Sequence, residues 1–210
     1  MSATAFQPLR RPYVQRVRTT ISYTVFCKVM QDLSLGMPTH QTELDLPTAH
    51  DIKIGQMAPV LRAAGDNILE LTQMKFGFPP TRTRGPVFNL RSGRKHFGDS
   101  HRCLIPASAF FEYKGRKDPK VKHRFTLSGA PMMAIAAIWR PSRQGQPEAF
   151  TMLTTEPGPD VKAVHNRQVV VLHPINWKAW IGLSKPEEDL LGPLPVGSLK
   201  VESRRRGPTG

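Results

Sequence analysis

Residues 89–113 read NLRSGRKHFGDSHRCLIPASAFFEY, and this stretch limits the fold and the chemistry more than any other. Its first half is densely basic, with Asp99 as the one acidic residue. Its second half is largely apolar, as expected of buried strands. Glu112 interrupts the apolar part between Phe111 and Tyr113. A carboxyl group in this setting predicts a proton-transfer group beside an anion-binding surface.

Glu112 has two interpretations from this stretch alone. On a regular alternating strand, Glu112 would face water while Phe111 and Tyr113 point inward. In a buried setting its pKa would rise, which suits general acid–base catalysis near neutral pH. Both interpretations stay open at this point.

The bulk composition indicates one basic domain. The 210 residues are enough for a sizeable core, and 39% of them are hydrophobic. The 20 prolines are about twice the usual share, which favours loops and argues against an all-helical bundle. The net charge of +14 favours polyanionic partners, with nucleic acid first and an acidic membrane surface second.

Cysteine usage and targeting signals favour the cytoplasm. Cys27 and Cys103 are the two cysteines, too few for a disulfide framework, which suits a reducing compartment. No apolar run approaches the ~20 residues of a membrane span. The basic N-terminus lacks the apolar core of a secretory signal. We therefore expect no membrane partner.

The predicted organisation is one domain between two basic tails. Residues 1–26 are basic with no sustained apolar period, so we expect a disordered extension. Residues 27–198 carry the core-forming segments, and residues 199–210 form a basic tail. Strand patterns outnumber helical ones. The fold class is therefore α+β, a single compact domain with a strand-rich mixed or antiparallel sheet core and a few short helices.

Period-two alternation predicts most of the secondary structure. The first two strands should form a hairpin, and the almost wholly apolar segment 132–139 should be central. A short helix is predicted over 157–164 and a helical turn over 176–182, whereas residues 38–56 have the composition of a loop. The predicted strands cover residues 58–63, 68–78, 125–128, 132–139, 149–154 and 169–172.

Three polar positions are candidate site residues. His165 directly precedes a buried-strand pattern, which places an easily tuned imidazole at a sheet rim. Asn89 and Arg91 are two residues apart, so on a strand they share a face and suit a phosphate or an aldehyde oxygen. The alternatives are a structural histidine bonded to the backbone and a loop-capping asparagine beside a solvated arginine.

The sequence contains no metal-binding or nucleotide-binding motif. Its seven histidines and two cysteines match no zinc spacing, and no P-loop, G-x-G-x-x-G or G-x-S-x-G pattern occurs. No metal and no cofactor are therefore predicted. Phe76 and Phe78, beside a loop with Arg82 and Arg84, are candidates for stacking on bases.

Several short motifs follow one another between residues 57 and 180. Asn89–Ser92 matches an Asn-Ala-Arg pattern, and Arg102–Tyr113 matches an Arg-Cys-Leu-hydrophobic-Pro segment that ends in a Tyr-Glu-Trp-like triplet. Lys75–Pro79 matches a Trp-Gly-aliphatic pattern, with Phe76 in place of Trp. Together with segments 58–62, 150–156 and 164–167, these motifs resemble those of the SOS-response-associated peptidase (SRAP) family of abasic-site processing proteins.

The resemblance implies a single-stranded DNA partner and covalent, lyase-like chemistry in the DNA damage response. Family members capture the ring-opened aldehyde of an abasic site with an N-terminal cysteine, whose amine forms a Schiff base and whose thiol closes a thiazolidine. By resemblance, Asn89 positions the sugar or the cysteine, Glu112 transfers protons and His165 protonates the ring oxygen. A peptidase-like activity that removes the protein's own leader is also implied.

The resemblance further implies a monomer associated with the bacterial nucleoid. Its DNA would lie in a basic groove that carries cations and aromatic rings. The expected DNA-binding residues are Arg82, Arg84, Arg91, Arg94, Arg102, Arg167, Phe76 and Phe78.

The reactive residue departs from the family pattern. Position 2 is Ser2 rather than cysteine, and Cys103 falls in the predicted core. Three possibilities stay open. In the first, the chain start is misassigned or residues 1–26 are cut off, and Cys27 is the nucleophile. In the second, the protein is a non-catalytic single-stranded DNA-binding relative. In the third, Ser2 or another amine forms only a reversible Schiff base.

Overall fold

The structure is a computed structural model that describes residues 16–42, 46, 49–65, 68–81, 85–93, 95–115, 121–143 and 145–205. Its first part contains β1 (Arg16–Thr19), α1 (Tyr23–Asp32), β2 (Ala49–Ile52), β3 (Met57–Gly65), β4 (Ile68–Phe76) and β5 (Asn89–Arg91). Its middle part contains β6 (His101–Ala107), β7 (Ala109–Lys114), β8 (Val121–Leu127), β9 (Met133–Arg140) and β10 (Ala149–Thr155). Its last part contains α2 (Pro159–Lys162), β11 (Gln168–Val169), β12 (Val171–Leu172), a 3₁₀ turn (Pro174–Asn176), α3 (Trp177–Gly182), α4 (Glu187–Leu190) and β13 (Leu199–Arg205).

The strands form two sheets. The five-stranded sheet has the order β13-β8-β7-β1-β2, and its neighbours are antiparallel. The eight-stranded sheet has the order β11-β10-β4-β3-β6-β9-β12, with β5 beside β10. β10 pairs with both β4 and β9, so the larger sheet closes into a ring. This is the predicted α+β domain with a mixed, mostly antiparallel core.

The core has two parts, because every second residue of a buried strand points to the opposite face. The inter-sheet cluster includes Val17, Phe110 and Phe125 from the smaller sheet and Val60, Cys103, Ile135 and Met152 from the larger one. The helix-side cluster covers the other face of the larger sheet. It includes Leu61, Leu104, Ala136 and Leu153 from strands and Phe26, Met30, Trp177 and Trp180 from helices.

The predicted hairpin and central strand are confirmed. β3 and β4 are antiparallel neighbours. β9 pairs with β6, β10 and β12, and its residues Met133–Ile138 are buried, as a strand with neighbours on both edges requires. At the end of β4, Gly77 adopts φ +103°, and a Cβ there would lie 2.9 Å from the Phe88 ring, so only glycine fits this bend.

The short helices follow local signals. In α1, the Ser22 side chain accepts a hydrogen bond from the Val25 N–H, which is an N-cap. In α3, the predicted helical turn is confirmed. Its Trp177 and Trp180 are fully buried, and the Trp180 indole N–H donates to the Cys103 carbonyl at 3.0 Å. Among the described residues, none of the helices has both the length and the apolarity that crossing a bilayer requires.

Both predicted tails are partly wrong. The predicted extension 1–26 includes β1 and the start of α1, and the predicted tail 199–210 includes β13, which pairs along its length with β8. β2 likewise lies within the segment predicted as loop. The basic composition of this segment led to the prediction of a tail. In the structure it is a strand, in which Arg16 and Arg18 alternate with the buried Val17 and Thr19. Residues 1–15 and 206–210 lie outside the described residues.

β1 is an internal strand of the smaller sheet, and its removal would destabilise the domain. It pairs with β7 on one side and β2 on the other. Val17 is 2% exposed, and the Thr19 hydroxyl donates to the Pro106 carbonyl at 2.8 Å. Ile21 and Phe26, just beyond β1, are buried in the helix-side cluster. The domain boundary at residue 27 therefore falls inside the folded unit.

We expect that removing residues 1–26 prevents folding. Each fully buried Val, Ile or Phe contributes about 1.5–3 kcal/mol, and the Thr19 hydrogen bond adds about 1 kcal/mol. Their loss approaches a typical total stability of about 5–15 kcal/mol. Urea unfolding followed by circular dichroism measures the effect, and a chain that begins at Arg16 is the control. If the chain without residues 1–26 unfolded in the same cooperative transition as the chain that begins at Arg16, this role for β1 would be contradicted.

Candidate functional site

Two of the predicted site residues lie on β5, which runs parallel to the end of β10. Asn89 is opposite Met152 and Arg91 is opposite Thr154. Because paired residues share a face, Asn89 and Arg91 point to the side on which Met152 joins the inter-sheet cluster. The Asn89 Oδ1 is buried and has no hydrogen-bond partner among the described residues. This oxygen can accept a hydrogen bond from a ligand.

Arg167 lies against the same end of β10. Its Nη2 donates to the Thr154 carbonyl at 3.2 Å and also contacts Thr154 Oγ1. Burial lowers the pKa of Arg167 and the nearby charge of Arg91 lowers it further, while Glu156 raises it. Arginine nevertheless stays protonated in proteins. Two guanidinium groups that repel each other in this way favour a bound anion such as a phosphate.

His165 is oriented by the backbone of Arg167. The Arg167 N–H donates to His165 Nδ1 at 3.1 Å, and Nδ1 lies 3.0 Å from the Arg167 carbonyl oxygen. Burial lowers the pKa of His165; the backbone hydrogen bond opposes this shift and the Arg167 charge adds to it. The imidazole is therefore mainly neutral at pH 7. The structure brings His165, Arg167, Arg91 and Asn89 together at one end of β10.

Glu112 faces the inter-sheet cluster from the opposite sheet. Phe110, two residues earlier on β7, stacks on Phe125 in this cluster with 4.8 Å between ring centroids. Glu112 points the same way and is 0% exposed. Burial raises the pKa of Glu112 to about 9. The buried interpretation is thus the correct one, and a carboxyl group that is neutral at pH 7 is a proton donor.

The sequence reasoning missed His123. It lies directly opposite Glu112 in the β7–β8 register, and it is 8% exposed. Its Nδ1 lies 2.9 Å from Ser203 Oγ, and its Nε2 has no hydrogen-bond partner among the described residues. Burial lowers the pKa of His123, and the charge of Lys114 lowers it further. The signal in the sequence was the alternation His123, Phe125, Leu127, which puts the imidazole on the buried face.

Cys27 is not brought to this site. It lies on α1, where it packs against the helix-side cluster. The eight-stranded sheet therefore separates Cys27 from the face to which Glu112 points. Cys103 is fully buried in β6, and burial raises the pKa of its thiol well above the usual value, so its predicted inert core position is confirmed.

Several predicted DNA contacts have structural roles instead. Phe76 and Phe78 are each 2% exposed, and Phe76 stacks on Phe150, so the prediction that they stack on bases is wrong. The alternation of β4 turned Phe76 into the core. The Arg102 guanidinium donates to the carbonyl groups of Phe97, Gly98, Ser100 and Ile181, which ties a loop down and leaves little for a phosphate. Arg82, Arg84 and Arg94 lie outside the described residues.

No cation site of the usual kind accompanies these residues. Within the described ranges, no three His, Cys, Asp or Glu side chains are grouped so that they could hold a metal ion. The site residues described are a neutral carboxyl group, one buried and one half-buried imidazole, an amide and a pair of guanidinium groups.

These features define a class: a strand-rich domain that combines a buried neutral carboxyl group with a cluster of amide, imidazole and guanidinium groups at the end of β10. The chain belongs to the SOS response associated peptidase (SRAP) family, whose family model matches residues 16–203. The match begins at the first residue of β1, which agrees with the corrected N-terminal boundary.

Curated relatives occur in Bacillus subtilis. Abasic site processing protein YoqW is 34% identical over 125 residues, and abasic site processing protein YoaM is 35% identical over 125 residues. Each match covers 57% of this chain and 55% of the relative. The chain thus spans about half the length of the curated relatives that it matches.

Solved structures share the fold. A Bordetella bronchiseptica protein has a TM-score of 0.67 at 21% identity, covering 91% of this chain and 99% of its own. A phage-related protein from the same organism has a TM-score of 0.68 at 17% identity, covering 92% and 95%. A Bacteroides thetaiotaomicron protein has a TM-score of 0.68 at 14% identity, covering 91% of each chain.

The buried carboxyl group predicts an unusual pH dependence of stability. Because the folded pKa of Glu112 is raised to about 9, the stability associated with its protonation is present below pH ~4.5 and is lost progressively up to pH 9. The stability of Glu112→Gln relative to the wild type should therefore increase between pH 4.5 and pH 7, by an amount on the order of 3 kcal/mol. Urea unfolding of both proteins at each pH measures this difference.

The matched control is Glu188→Gln, because Glu188 is an exposed carboxylate on α4. Its pH profile should parallel that of the wild type. If the Glu112→Gln and wild-type profiles were also parallel between pH 4.5 and pH 9, Glu112 would not be a neutral group in the folded protein.

Proposed function

We propose that this protein processes abasic sites in single-stranded DNA, and that it captures the ring-opened sugar aldehyde covalently through an amine. The observation that carries the proposal is that a buried, neutral Glu112 on one sheet and the Asn89–Arg91 strand of the other sheet both face the inter-sheet side, where Arg167 accompanies Arg91. Membership of the SRAP family and the names of the Bacillus subtilis relatives support the same substrate.

The cationic cluster supplies the affinity for a DNA strand. Arg91 is exposed, and Arg167 is held by Thr154 within reach of the Arg91 charge. A phosphate between the two guanidinium groups would relieve their repulsion and accept charge-assisted hydrogen bonds. The neighbouring Asn89 Oδ1 would then accept a hydrogen bond from the sugar of the adjoining abasic nucleotide.

Glu112 suits the slow step of imine formation. An amine nitrogen adds to the aldehyde carbon and gives a carbinolamine, which must lose its hydroxyl group as water. The Glu112 carboxyl donates a proton to that hydroxyl group, the C–O bond breaks and the nitrogen lone pair forms the C=N bond. The resulting carboxylate takes the nitrogen proton back. An ordinary glutamate, ionised at pH 7, could not donate this proton.

His165 suits the sugar end of the same reaction. The abasic sugar must open before its aldehyde can react, and opening requires that the ring oxygen gain a proton. The His165 imidazole is mainly neutral at pH 7, but burial makes its protonated form a stronger acid than ordinary imidazolium, so that form suits protonation of the ring oxygen. Its position beside Arg167 would bring it to the sugar whose phosphate the two arginines hold.

The proposed link is an imine rather than a thiazolidine. A thiazolidine needs a thiol and an amine on the same residue, and the described position of Cys27 is on the far face of the larger sheet. Self-cleavage before Cys27 would also remove β1, on which β7 and Glu112 depend. We therefore assign the reaction to an amine of the chain, either an α-amine or a lysine.

The imine proposal predicts an adduct that depends on borohydride. Incubate the protein with a uracil-glycosylase-treated single-stranded oligonucleotide and resolve the products on a denaturing gel. Borohydride reduces the imine to a stable amine, so the adduct should survive after reduction and be lost on heating without it. Glu112→Gln should slow adduct formation by about 10²-fold, and Glu188→Gln should not.

Three other outcomes have distinct meanings. A heat-stable adduct that needs no borohydride and disappears in Cys27→Ala would identify Cys27 as the nucleophile. Absence of any adduct would refute the covalent proposal. Equal rates for Glu112→Gln and wild type would remove Glu112 from the reaction.

A non-catalytic single-stranded DNA-binding module is the second candidate. The position of Cys27, away from Glu112 and Asn89, favours it over a thiol-based enzyme. This candidate retains the Arg91–Arg167 cluster but needs no acid. It would bind abasic and intact strands equally, whereas the enzyme would bind the abasic strand preferentially.

Both candidates predict that the two arginines hold phosphates. Arg167→Gln should weaken binding to an intact strand and reduce the slope of log Kd against log salt by about 0.7. Lys178→Gln, which removes an exposed charge on α3, should leave the slope unchanged. Fluorescence anisotropy across a salt series measures both. Identical slopes for Arg167→Gln and wild type would mean that Arg167 does not contact the DNA backbone.

A further inference from the structure

The outer face of the five-stranded sheet carries a regular array of basic residues. Register pairs define it: Arg16 lies opposite Phe111, and Phe111 lies opposite Arg124. Since Phe110 and Glu112 point into the inter-sheet cluster, Phe111 and every residue paired with it point outward. The outward-facing basic residues on β1, β8 and β13 are Arg16, Arg18, Lys122, Arg124, Lys200 and Arg204.

One acidic residue is described on four of the five strands of this outer basic face. Among the side chains described on β1, β7, β8 and β13, Glu202 is the one acidic residue that faces outward, and it pairs with Arg124 at 3.0 Å. The basic residues of the face lie on β1, β8 and β13, and adjacent strands of a sheet lie about 4.8 Å apart. Lys200 and Arg204 on the edge strand β13 are exposed to solvent.

Two aromatic rings of β7, those of Phe111 and Tyr113, contact three of these basic side chains. The Arg18 guanidinium lies 5.0 Å and the Lys122 ammonium 3.9 Å from the centroid of the Phe111 ring. The Arg16 guanidinium lies 5.9 Å from the Tyr113 ring. A shallow cavity of about 320 Å³ lies over Phe111, between Arg18, Lys122 and Arg204. Cations fixed over rings lose less side-chain entropy when a ligand binds them.

We propose that the outer basic face is a second DNA-contact surface, which binds the phosphodiester backbone of a strand regardless of lesions. It differs from the Arg91–Arg167 cluster in place and in chemistry. That cluster lies at the end of β10 in the other sheet and accompanies Asn89 and His165, whereas the outer basic face carries no described carboxyl, amide or imidazole other than Glu202.

A nucleic-acid backbone fits this face better than other polyanions do. Four of its six cations are arginines, whose planar forks match phosphate oxygens. The face is a sheet surface with side chains repeating every second residue, which suits a partner with regularly spaced charges. It presents no exposed apolar side chain that would insert into a lipid surface, since Phe111 is 3% exposed under its cations.

The β-strand β7 carries residues of both the proposed acid–base site and the outer basic face. β7 turns Glu112 inward and Phe111 and Tyr113 outward, so neighbouring residues belong to the proposed acid–base site and to the outer basic face. A DNA strand long enough to contact both surfaces would bind more tightly through two sites, without any change in its contacts at the lesion. The inference does not depend on the aldehyde chemistry.

The test compares two doubly substituted proteins that have the same loss of charge. One carries Lys200→Gln and Arg204→Gln, which are exposed positions on the edge strand β13. The control carries Lys178→Gln and Lys185→Gln, which are exposed positions at and after α3, on the helix side. Fluorescence anisotropy with an intact single-stranded oligonucleotide of about 20 nucleotides gives Kd across a salt series.

The β13 variant should bind several-fold more weakly and reduce the slope of log Kd against log salt by about 1.4, which is about 0.7 for each lost phosphate contact. The control should keep the wild-type slope. Equal slopes for the two variants would overturn the proposal. A β13 variant that loses binding to phosphatidylglycerol vesicles, with its DNA binding unchanged, would overturn it in favour of a lipid surface.

The borohydride adduct assay separates this inference from the proposed function. With saturating abasic strand, the β13 variant should form adduct at the wild-type rate, because its substitutions lie outside the acid–base site. If no protein forms adduct, the anisotropy comparison still decides whether the outer basic face binds DNA. Far-ultraviolet circular dichroism and thermal unfolding verify that both variants are folded.

Discussion

The pairing of β7 with strands on both of its edges is the constraint on which the rest of the structure depends. β1 on one side and β8 on the other use the backbone groups of β7, so its alternate residues face either the inter-sheet cluster or the outer surface. Glu112 is thereby enclosed without charge. A buried carboxylate would cost far more than a buried carboxylic acid, and the raised pKa is the consequence.

The same constraint separates two kinds of electrostatics within one strand. Inward, a low-dielectric interior keeps Glu112 neutral and lowers the pKa of His123, so both groups are held as uncharged proton carriers. Outward, Arg18 and Lys122 lie over the Phe111 ring and Arg16 lies over the Tyr113 ring, so the same strand presents aromatic rings to cations. The repulsion between Arg91 and Arg167 is a local instability of the kind that binding sites retain.

Local patterns predicted the elements whose signals are contained in a few residues. The β3–β4 hairpin, the central β9 and the tryptophan helix α3 follow from alternation, apolar runs and helical spacing. The short helix predicted over 157–164 is present as α2, and its Asp160 carboxylate accepts hydrogen bonds from the backbone N–H groups of Gly197 and Leu199, which only the folded chain brings near. Of the site, Asn89, Arg91, His165 and Arg167 do lie together.

The failures share one physical cause, which is that burial depends on partners distant in sequence. β1 and β13 are too basic to be recognised as strands until β7 and β8 pair with them. Phe76 and Phe78 lie beside a basic loop, and their burial depends on distant segments, such as Phe150 on β10, on which Phe76 stacks. Cys27 lay at a suitable distance along the chain, but α1 carries it to the other side of the larger sheet.

By itself, the sequence determined the charge of the protein, the strand-rich core and the residue types of the site, because composition and alternation are local properties. Only the tertiary structure decided that Glu112 is a neutral acid, that His123 lies opposite it and that the N-terminal basic segment is an internal strand. These properties depend on which strands become neighbours, and neighbouring strands exclude water from positions that no single segment can enclose.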